Sequence, residues 1–249
     1  MMTYKKLLYS YSQVYFENDR FYHLKDETRP TRYYSNYLDY KLLPSLDSLK
    51  EDLLYLKVEQ KDYPTDYAML FFPEKVDLPG EIQNHLRVTG FHLEKHLIFT
   101  CSIDNLSLSK KAVNGISIRP LSVDNRKCYL EYKYQQNLAY GKTYADEMLV
   151  FNEKHLPEPG STVYLAFDGN QIIGDLTAWD YGQFVEMDDF SVKENYRGQG
   201  IGSALQKVAS DGFPSAILIA EEINRNMYQH QGYEEVSYYW TALRSSDRN

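Results

Sequence analysis

A glycine-rich run, RGQGIG from Arg197 to Gly202, holds the residues best suited to chemistry in this chain. Gly198, Gly200 and Gly202 lack side chains, so consecutive main-chain N–H groups can converge on one ligand. An amphipathic helix is predicted to begin here, and its N-terminus adds the positive end of a dipole. Arg197 can add a charge-assisted hydrogen bond. The run therefore suits a pyrophosphate group, although a tight turn without a ligand has the same composition.

The elements before this run decide between two kinds of phosphate site. They predict a β-hairpin, with strands over 162–167 and 171–179 around an Asp-Gly turn, and then a third strand over 184–192. A dinucleotide-binding fingerprint would follow the first strand of a parallel unit and carry an acidic residue about 20 positions later. Because the run follows an antiparallel hairpin, we exclude a dinucleotide-binding fold.

Hydrophobic periodicity and turn residues predict the remaining elements of the second half. These are a strand over 116–121, helices over 122–156 broken at Gly141, a helix over 200–210, a buried strand over 216–220, a helix over 224–231 ended by a left-handed Gly232, and a closing strand over 235–243. The polar segment 104–115 lacks periodicity and is the best linker candidate. We place the boundary between two domains, 1–112 and 113–249, within it.

The first half contains a pattern similar to that of residues 216–241 in the second half. AMLFFPE at 68–74 is similar to AILIAEE at 216–222, and HLRVTGFHLEKHLIF at 85–99 is similar to MYQHQGYEEVSYYWT at 227–241. Each copy predicts a buried strand, a helix, a Gly-aromatic pair and a final strand. The match indicates an internal duplication, although two short matches of this kind also arise by coincidence.

Composition limits the class of protein and its partners. Hydrophobic residues at 43% and charged residues at 25% are typical of a soluble globular chain. Cys101 and Cys128 form no metal-ligand or disulfide pattern, so we expect no metal site and a reducing setting. We find no apolar stretch of the ~20 residues that span a bilayer and no signal peptide, and we expect a cytoplasmic protein without a membrane partner.

The net charge and its distribution also limit the partners. The net charge of −8 disfavours nucleic-acid binding, which depends on neutralising phosphates with Lys and Arg. The acidic excess lies after residue 114, where it favours a cationic partner. A solvated acidic surface explains the same excess equally well.

The second half resembles the GNAT superfamily of N-acetyltransferases. Arg197, Gly200 and Gly202 match the family's signature of Arg or Gln, two residues, Gly, one residue, and Gly or Ala. DDFSVKENY at 188–196 is similar to the family's fourth strand and the turn after it, and NRNMYQHQGY at 224–233 to its Asn-containing helix. The resemblance implies an α/β (α+β) fold, with a mixed, mostly antiparallel sheet flanked by helices. A second, smaller α+β domain would precede it.

The resemblance also implies acetyl-CoA as co-substrate. The sheet would splay between its fourth and fifth strands, and pantetheine would pair with the backbone there. A change of parity within VEMDDFSV fits one extra residue in the strand, and the resemblance implies a β-bulge whose N–H faces the thioester oxygen. The residues expected to bind the cofactor are Phe190, Ser191, Val192, Arg197, Gly198, Gln199, Gly200, Ile201, Gly202, Ser203 and Asn224.

Acetyl transfer to an amine needs a base, because an aliphatic amine with a pKa near ~10 is mostly protonated at neutral pH. Glu186 is the first candidate, with Asp188 and Asp189 as neighbours that also suit a purely electrostatic role. Tyr228 matches the family's general acid, which would protonate the thiolate of coenzyme A; a packed helix tyrosine is the alternative. The echo places Leu86 at the matching position of the first half, which would then be a degenerate GNAT-like domain.

The sequence therefore predicts an N-acetyltransferase. The acetyl group would pass directly to a primary amine in a ternary complex, without a covalent acyl-enzyme. The expected acceptor is a small-molecule or peptide amine of cationic character, and a homodimer is left open. Two alternatives stay open, a non-catalytic acyl-CoA-binding sensor and a scaffold protein whose loop holds no ligand.

Overall fold

The computed structural model describes residues 3–9, 12–111 and 113–246. The chain forms two compact units, one made of Met1–Leu97 with Ser237–Asn249 and the other of Ile98–Val236. The division after residue 97 and the division after residue 236 each fall inside a strand. The predicted boundary between residues 112 and 113 lies inside the second unit. Because compactness alone defines the units, the domain limits stay a prediction.

Seven helices and eleven strands follow one another in the described residues. From the N-terminus to residue 102 they are α1 (Tyr4–Leu8), β1 (Val14–Glu17), β2 (Phe21–Leu24), β3 (Tyr37–Tyr40), α2 (Leu46–Glu59), β4 (Tyr67–Phe71), α3 (Gly80–Val88) and β5 (His92–Ser102). The remainder are β6 (Ile116–Pro120), α4 (Arg126–Asn137), α5 (Lys142–His155), β7 (Ser161–Asp168), β8 (Gln171–Asp180), β9 (Phe184–Val192), α6 (Ile201–Ala209), β10 (Ser215–Glu221), α7 (Arg225–His230) and β11 (Glu234–Ser245).

The first unit is built on the strand order β1-β2-β3-β4-β11. The pairs β1–β2 and β2–β3 are antiparallel, β3–β4 is parallel, and β4–β11 is antiparallel. A core of buried side chains from β2, β3, α2, β4 and α3 includes Leu38, Leu56, Leu70 and Leu86. The last strand of the chain thus completes the sheet of the first unit.

The second unit has the strand order β6-β7-β8-β9-β10, with β5 next to β10. Strands β6 to β9 are antiparallel neighbours, whereas β9 and β10 are parallel. The ladder between β9 and β10 runs only from Phe184 opposite Ser215 to Glu186 opposite Ile217. Beyond Glu186 the two strands part, which confirms the predicted splay.

Most elements predicted in the second half are confirmed. Strand β9 has the predicted bounds, and the helical stretch before it is broken at Gly141 into α4 and α5. Gly232 ends α7 with a φ of 91°, the left-handed conformation expected there. These elements could be predicted because alternation, helical periodicity and turn glycines are local properties of the sequence.

The two halves of the sequence share an order of elements. In each, three antiparallel strands lead through a helix to a strand parallel to the third, and a second helix and a final strand follow. Helix α2 therefore corresponds to α6, and α3 corresponds to α7. This common order supports the internal duplication predicted from the two short sequence matches.

Helix α6 packs closely on strand β8 because Gly174 has no side chain. Ile201, Leu205 and Ala209, spaced four residues apart, form the buried stripe of the helix. A Cβ at Gly174 would lie 2.8 Å from the carbonyl oxygen of Ser191 and 3.4 Å from Leu205 Cδ1. The close pairing of β8 with β9 therefore depends on this glycine, and the approach of α6 depends on it to a smaller degree.

We expect Gly174→Ala to destabilise the protein by about 1–3 kcal/mol, the usual cost of overpacking a well-packed core. Gly80→Ala is the matched control, because a Cβ at Gly80 meets nothing within 4 Å. Urea unfolding followed by circular dichroism measures both free energies of unfolding. Equal free energies for the two variants would show that β8 and β9 can move apart at Gly174 at little cost.

Candidate functional site

The glycine run forms the connection between β9 and α6. A turn of 3-10 helix, Glu194–Tyr196, follows β9, and α6 begins at Ile201. Gly200 occupies the left-handed region with φ 89° and ψ 0°, a conformation that disfavours residues with a side chain. No side chain caps α6. The N–H groups of its first turn therefore have no partner within the helix and point toward the loop.

A β-bulge lies in β9 where the change of parity predicts one. Asp175 of β8 lies opposite Ser191, and Thr177 lies opposite Asp188, so one residue of β8 faces two of β9. The two bulged residues are Asp189, with a φ of 45°, and Phe190. The structure confirms the predicted bulge.

The bulge sends the side chains before and after it to opposite faces of the sheet. Directly opposed residues of antiparallel strands share a face. Glu186 lies opposite Trp179 and Asp188 opposite Thr177, on the same face of β8 as Asp175. This face is covered by α4. Phe190 points to the other face, where its Cζ lies 3.1 Å from the position a Cβ would take at Gly202 of α6.

A buried polar cluster joins α4 to this acidic face. Asp175 has no exposed surface, and its carboxylate accepts hydrogen bonds from Tyr129 at 3.2 Å and from Ser191 Oγ. Lys133 of α4 contacts Asp175 at 3.4 Å and Asp189 at 2.7 Å. Sequence reasoning missed this cluster.

The charges of the cluster depend on each other. Burial raises the pKa of Asp175, and Lys133 opposes that shift. Burial alone would lower the pKa of Lys133, but Asp189 and Asp175 together hold it above its usual value. The lysine is therefore charged, and it neutralises part of an otherwise acidic face.

Glu186 is buried, with 7% of its surface exposed. Burial and the neighbouring charge of Asp188 raise its pKa well above the usual range, while a hydrogen bond from Tyr181 acts in the other direction. A carboxylate with a raised pKa binds a proton more readily near neutral pH, as a general base must. Its placement beside the point where β9 and β10 part is consistent with the predicted role.

Tyr228 lies on α7, half-buried against two aromatic rings. Its ring centroid is 5.8 Å from that of Phe99 and 5.7 Å from that of Tyr233. Burial raises the pKa of the phenol, so it keeps its proton to higher pH. Asn224 precedes α7, and its side chain makes no capping hydrogen bond. Capping, the alternative explanation for this residue, is therefore not what the structure shows.

The other predicted cofactor residues lie on the loop or at the end of β9. Arg197 Nε donates to the carbonyl of Val192 at 3.1 Å, and Gln199 Nε2 donates to the carbonyl of Asn195 at 3.0 Å. Ser191 turns its hydroxyl toward the cluster of α4. The contacts of Arg197 thus hold the loop against the strand that precedes it.

The polar segment predicted as a linker is bonded to this region. Ser107 N donates to the carbonyl of Gln231 at 2.8 Å, and Ser109 N donates to Ser203 Oγ at 3.1 Å. Lys111 Nζ donates to the carbonyl of Gly198 at 2.9 Å. A cation from a distant part of the sequence therefore lies at the glycine loop, and composition alone contained no signal for it.

The described residues contain neither a metal-binding cluster nor a membrane-spanning helix. No group of three or more His, Cys, Asp or Glu side chains in residues 3–9, 12–111 and 113–246 has an arrangement that could hold a metal ion. Over the same ranges, no helix combines the length and the apolar character required to cross a membrane.

Comparison with known proteins agrees with this arrangement. A family described as acetyltransferase (GNAT) domain matches residues 159–235, and a domain of unknown function (DUF5613) matches residues 2–98. No curated protein matches the chain.

Solved structures share the fold. A functionally unknown conserved protein from Staphylococcus epidermidis has a TM-score of 0.85 and 22% identity, with 97% of each chain covered. A GCN5-related N-acetyltransferase from Kribbella flavida has a TM-score of 0.62 and 11% identity, covering 96% of this chain and 91% of that one. Another from Sphaerobacter thermophilus has a TM-score of 0.61 and 12% identity, covering 90% and 76%.

At these sequence identities, the similarity to the solved structures shows a shared fold alone. It confirms the predicted mixed, mostly antiparallel sheet flanked by helices. The match at residues 159–235 concerns the sequence, and it spans the bulged strand, the glycine loop and the helix of Tyr228. This part of the chain is therefore identified as a GNAT acetyltransferase domain.

Proposed function

We propose that the chain is an N-acetyltransferase that transfers the acetyl group of acetyl-CoA directly to a primary amine. One observation carries the proposal. The end of β9 is left unpaired on the side of β10. From there the chain passes through the left-handed Gly200 to the uncapped N-terminus of α6, all within the GNAT domain. Main-chain N–H groups at such a terminus bind phosphate.

The loop and the end of β9 would share the cofactor. The diphosphate would accept hydrogen bonds from the N–H groups of residues 198–203, with Lys111 close enough to add a positive charge. Pantetheine would lie along the edge of Phe190–Val192 that β10 leaves unpaired. Asn224, whose amide caps no helix, would contact the cofactor from α7.

The proposed reaction moves two protons and one acetyl group. Glu186, directly or through water, takes a proton from the ammonium form of the acceptor. The freed lone pair attacks the acetyl carbonyl carbon, and an N–H of the bulge at Asp189 and Phe190 stabilises the oxyanion. The carbon–sulfur bond then breaks, and Tyr228 gives its proton to the leaving thiolate. The nitrogen gives up its second proton, which restores Tyr228 through water, and the proton on Glu186 passes to solvent.

The face around Glu186 favours a cationic acceptor. Glu186, Asp188 and Asp175 share the face covered by α4, and the bulged Asp189 reaches it as well. Lys133 contacts two of these four carboxylates, Asp175 and Asp189. The remaining negative charge would attract an ammonium group and hold it beside the base. Whether that amine belongs to a small molecule or a peptide stays open, as does the predicted cytoplasmic location.

The cysteines support direct transfer. Burial, together with the charge of Glu234, raises the pKa of Cys101, so its thiolate is scarce at neutral pH. Its Sγ donates to the carbonyl of Ser102. Cys128 is exposed on α4, outside the matched domain. Cys101 therefore lacks the activation that a covalent acyl-enzyme requires.

We expect Gly200→Glu to weaken acetyl-CoA binding roughly a hundredfold or more, because about two hydrogen bonds to the charged diphosphate are lost and a negative charge is added. Gly212→Glu is the control for a charged side chain at a positive φ, 83°, and Gly200→Ala is the control for the contact with Lys111, since a Cβ at Gly200 would lie 3.2 Å from Lys111 Cβ whereas Gly212 has open space. Isothermal titration calorimetry with acetyl-CoA measures all three. Unchanged affinity in Gly200→Glu would remove the basis of the proposal, and absent binding to the wild type would favour the scaffold.

Tyr228→Phe should lower kcat about 10²-fold with little change in the KM for acetyl-CoA, because only proton donation to the thiolate is lost. Tyr164→Phe on β7 is the control. Free thiol released in the presence of a panel of amines reports the rate. If Tyr228→Phe turns over as fast as Tyr164→Phe, another group protonates the thiolate. If no amine in the panel releases thiol while acetyl-CoA binds, the protein is a sensor.

Glu186 must be ionised to act as a base, so kcat/KM should rise with pH as Glu186 loses its proton. Because the pKa of Glu186 is raised, this rise should occur above the ordinary carboxyl range near ~4. Glu186→Gln should lower the rate and remove this rise. Asp188→Asn should move the rise to lower pH, because the charge of Asp188 is one cause of the raised pKa. The same thiol assay over a range of pH values tests both. An unaltered profile in Glu186→Gln would assign the base to another group.

A further inference from the structure

Helix α4 turns polar groups toward β8 and β9. A helix packed on a sheet usually buries an apolar stripe, as α6 does. The residues of α4 that contact the two strands lie along one side of the helix, at spacings of three and four residues, and they are Tyr129, Tyr132, Lys133 and Gln136. Apolar packing explains the two aromatic rings. It explains neither the ammonium of Lys133 nor the amide of Gln136.

These polar groups hold β9 on both sides of Phe190. Lys133 Nζ lies 2.7 Å from Asp189 Oδ2, the carboxylate of the first bulged residue. Gln136 Nε2 donates to Ser191 Oγ at 3.0 Å, just after the bulge. Phe190 lies between these two contacts and packs on the opposite face, beside α6. The bulge is therefore fixed between α4 and α6.

The contact with Lys133 depends on the unusual backbone of Asp189. Side chains alternate between faces in a regular strand, so the residue after Asp188 would point away from α4. The φ of 45° at Asp189 brings its carboxylate to the face of α4 instead. A left-handed backbone disfavours residues that carry a Cβ, and such a conformation persists only where neighbouring groups hold it. The ion pair opposes a return to the extended conformation.

Lys133 is itself held in place. It is 8% exposed, and its Nζ lies 3.4 Å from Asp175 Oδ2, a carboxylate without exposed surface. A buried ion pair adds little net stability, because the desolvation of its charges offsets their attraction. This arrangement is therefore better explained by what Lys133 positions than by the stability that it adds.

We propose that Lys133 is a positioning residue for acetyl transfer. Its ammonium keeps Asp189 in the left-handed conformation, and the bulge thereby keeps an N–H directed at the oxygen of the bound thioester. Lys133 touches none of the reacting atoms and acts through the backbone of the bulge. The inference rests on the proposed transfer, because the oxyanion that this N–H stabilises forms only in that reaction.

The variant Lys133→Met removes the ammonium and keeps an unbranched side chain. We expect kcat to fall about 10²-fold, the usual loss when an oxyanion donor is misplaced, with little change in the KM for acetyl-CoA. Lys133→Arg should recover most of the rate, since it restores the charge. Lys127→Met, at an exposed lysine of α4, is the matched control. The thiol assay measures the rates, and circular dichroism verifies that each variant is folded.

A spectroscopic measurement follows the bulge without any substrate. Backbone NMR chemical shifts distinguish a left-handed from an extended residue. In Lys133→Met the shifts of Asp189 and Phe190 should move toward extended values, whereas Lys133→Arg and Lys127→Met should keep those of the wild type. A lysine with a purely structural role would leave these shifts unchanged.

Asp189→Ala tests the same contact from its other side. The Asp189 side chain is 52% exposed, and Lys133 keeps Asp175 as a partner, so this variant should fold even if Lys133→Met does not. We expect a similar loss of kcat. The double variant Lys133→Met/Asp189→Ala should lose no more than either single variant, because both substitutions remove one interaction.

The outcomes separate this inference from the proposed reaction. If the wild type turns over an amine and Lys133→Met matches Lys127→Met in kcat and in backbone shifts, the positioning role is wrong and acetyl transfer stands. Full activity in Asp189→Ala, or losses that multiply in the double variant, would also overturn it. A wild type that turns over no amine would overturn the acetyl transfer and this inference with it.

Discussion

The candidate site depends on the absence of side chains at two glycines. At Gly200 the backbone is left-handed, which lets the chain leave β9 and start α6 within a few residues. At Gly174 a Cβ would collide with the carbonyl of Ser191, so only glycine allows β8 to pair this closely with the end of β9 that leads to the loop. Together these constraints hold the uncapped end of the helix beside the open edge of β9. The proposed binding of a diphosphate by main-chain N–H groups follows from that placement.

The bulge in β9 separates two kinds of surface on one strand. Before it, Glu186 and Asp188 face α4 with Asp175 of the neighbouring strand, and after it Phe190 packs beside α6. Asp189 accepts an unfavourable positive φ at this point and pairs with Lys133. Such strain persists where the surrounding structure holds it in place, and it is frequent at functional sites. The bulge thereby places the acids on one face of β9 and the proposed cofactor contacts along the edge of the same strand.

The sequence predicted the elements that depend on local patterns. The bounds of β9, the break at Gly141, the bulge and the left-handed Gly232 all follow from alternation, periodicity or glycine. Contacts between residues that are distant in the sequence could not be predicted from local patterns. The pairing of Lys133 with Asp175, 42 residues apart, and the bond from Lys111 to Gly198, 87 residues apart, have no local signal.

The first half has the same order of elements as the second half but lacks the features of the candidate site. Strand β3 leads to α2 as β9 leads to α6, but α2 begins after Pro44 and Ser45, and the Ser45 hydroxyl accepts from the N–H of Ser48. This cap occupies a donor that Gly200 leaves open in the second unit. Leu86, buried in the core, stands where the sequence echo places Tyr228. If the halves are copies, the proposed chemistry has been kept in one of them.

A crystal structure of the protein with coenzyme A tests the central claim most directly. The account predicts diphosphate oxygens within hydrogen-bond distance of the main-chain nitrogens between Gly198 and Ser203, and pantetheine along Phe190–Val192. Coenzyme A bound elsewhere on the chain, with this turn empty, would contradict it.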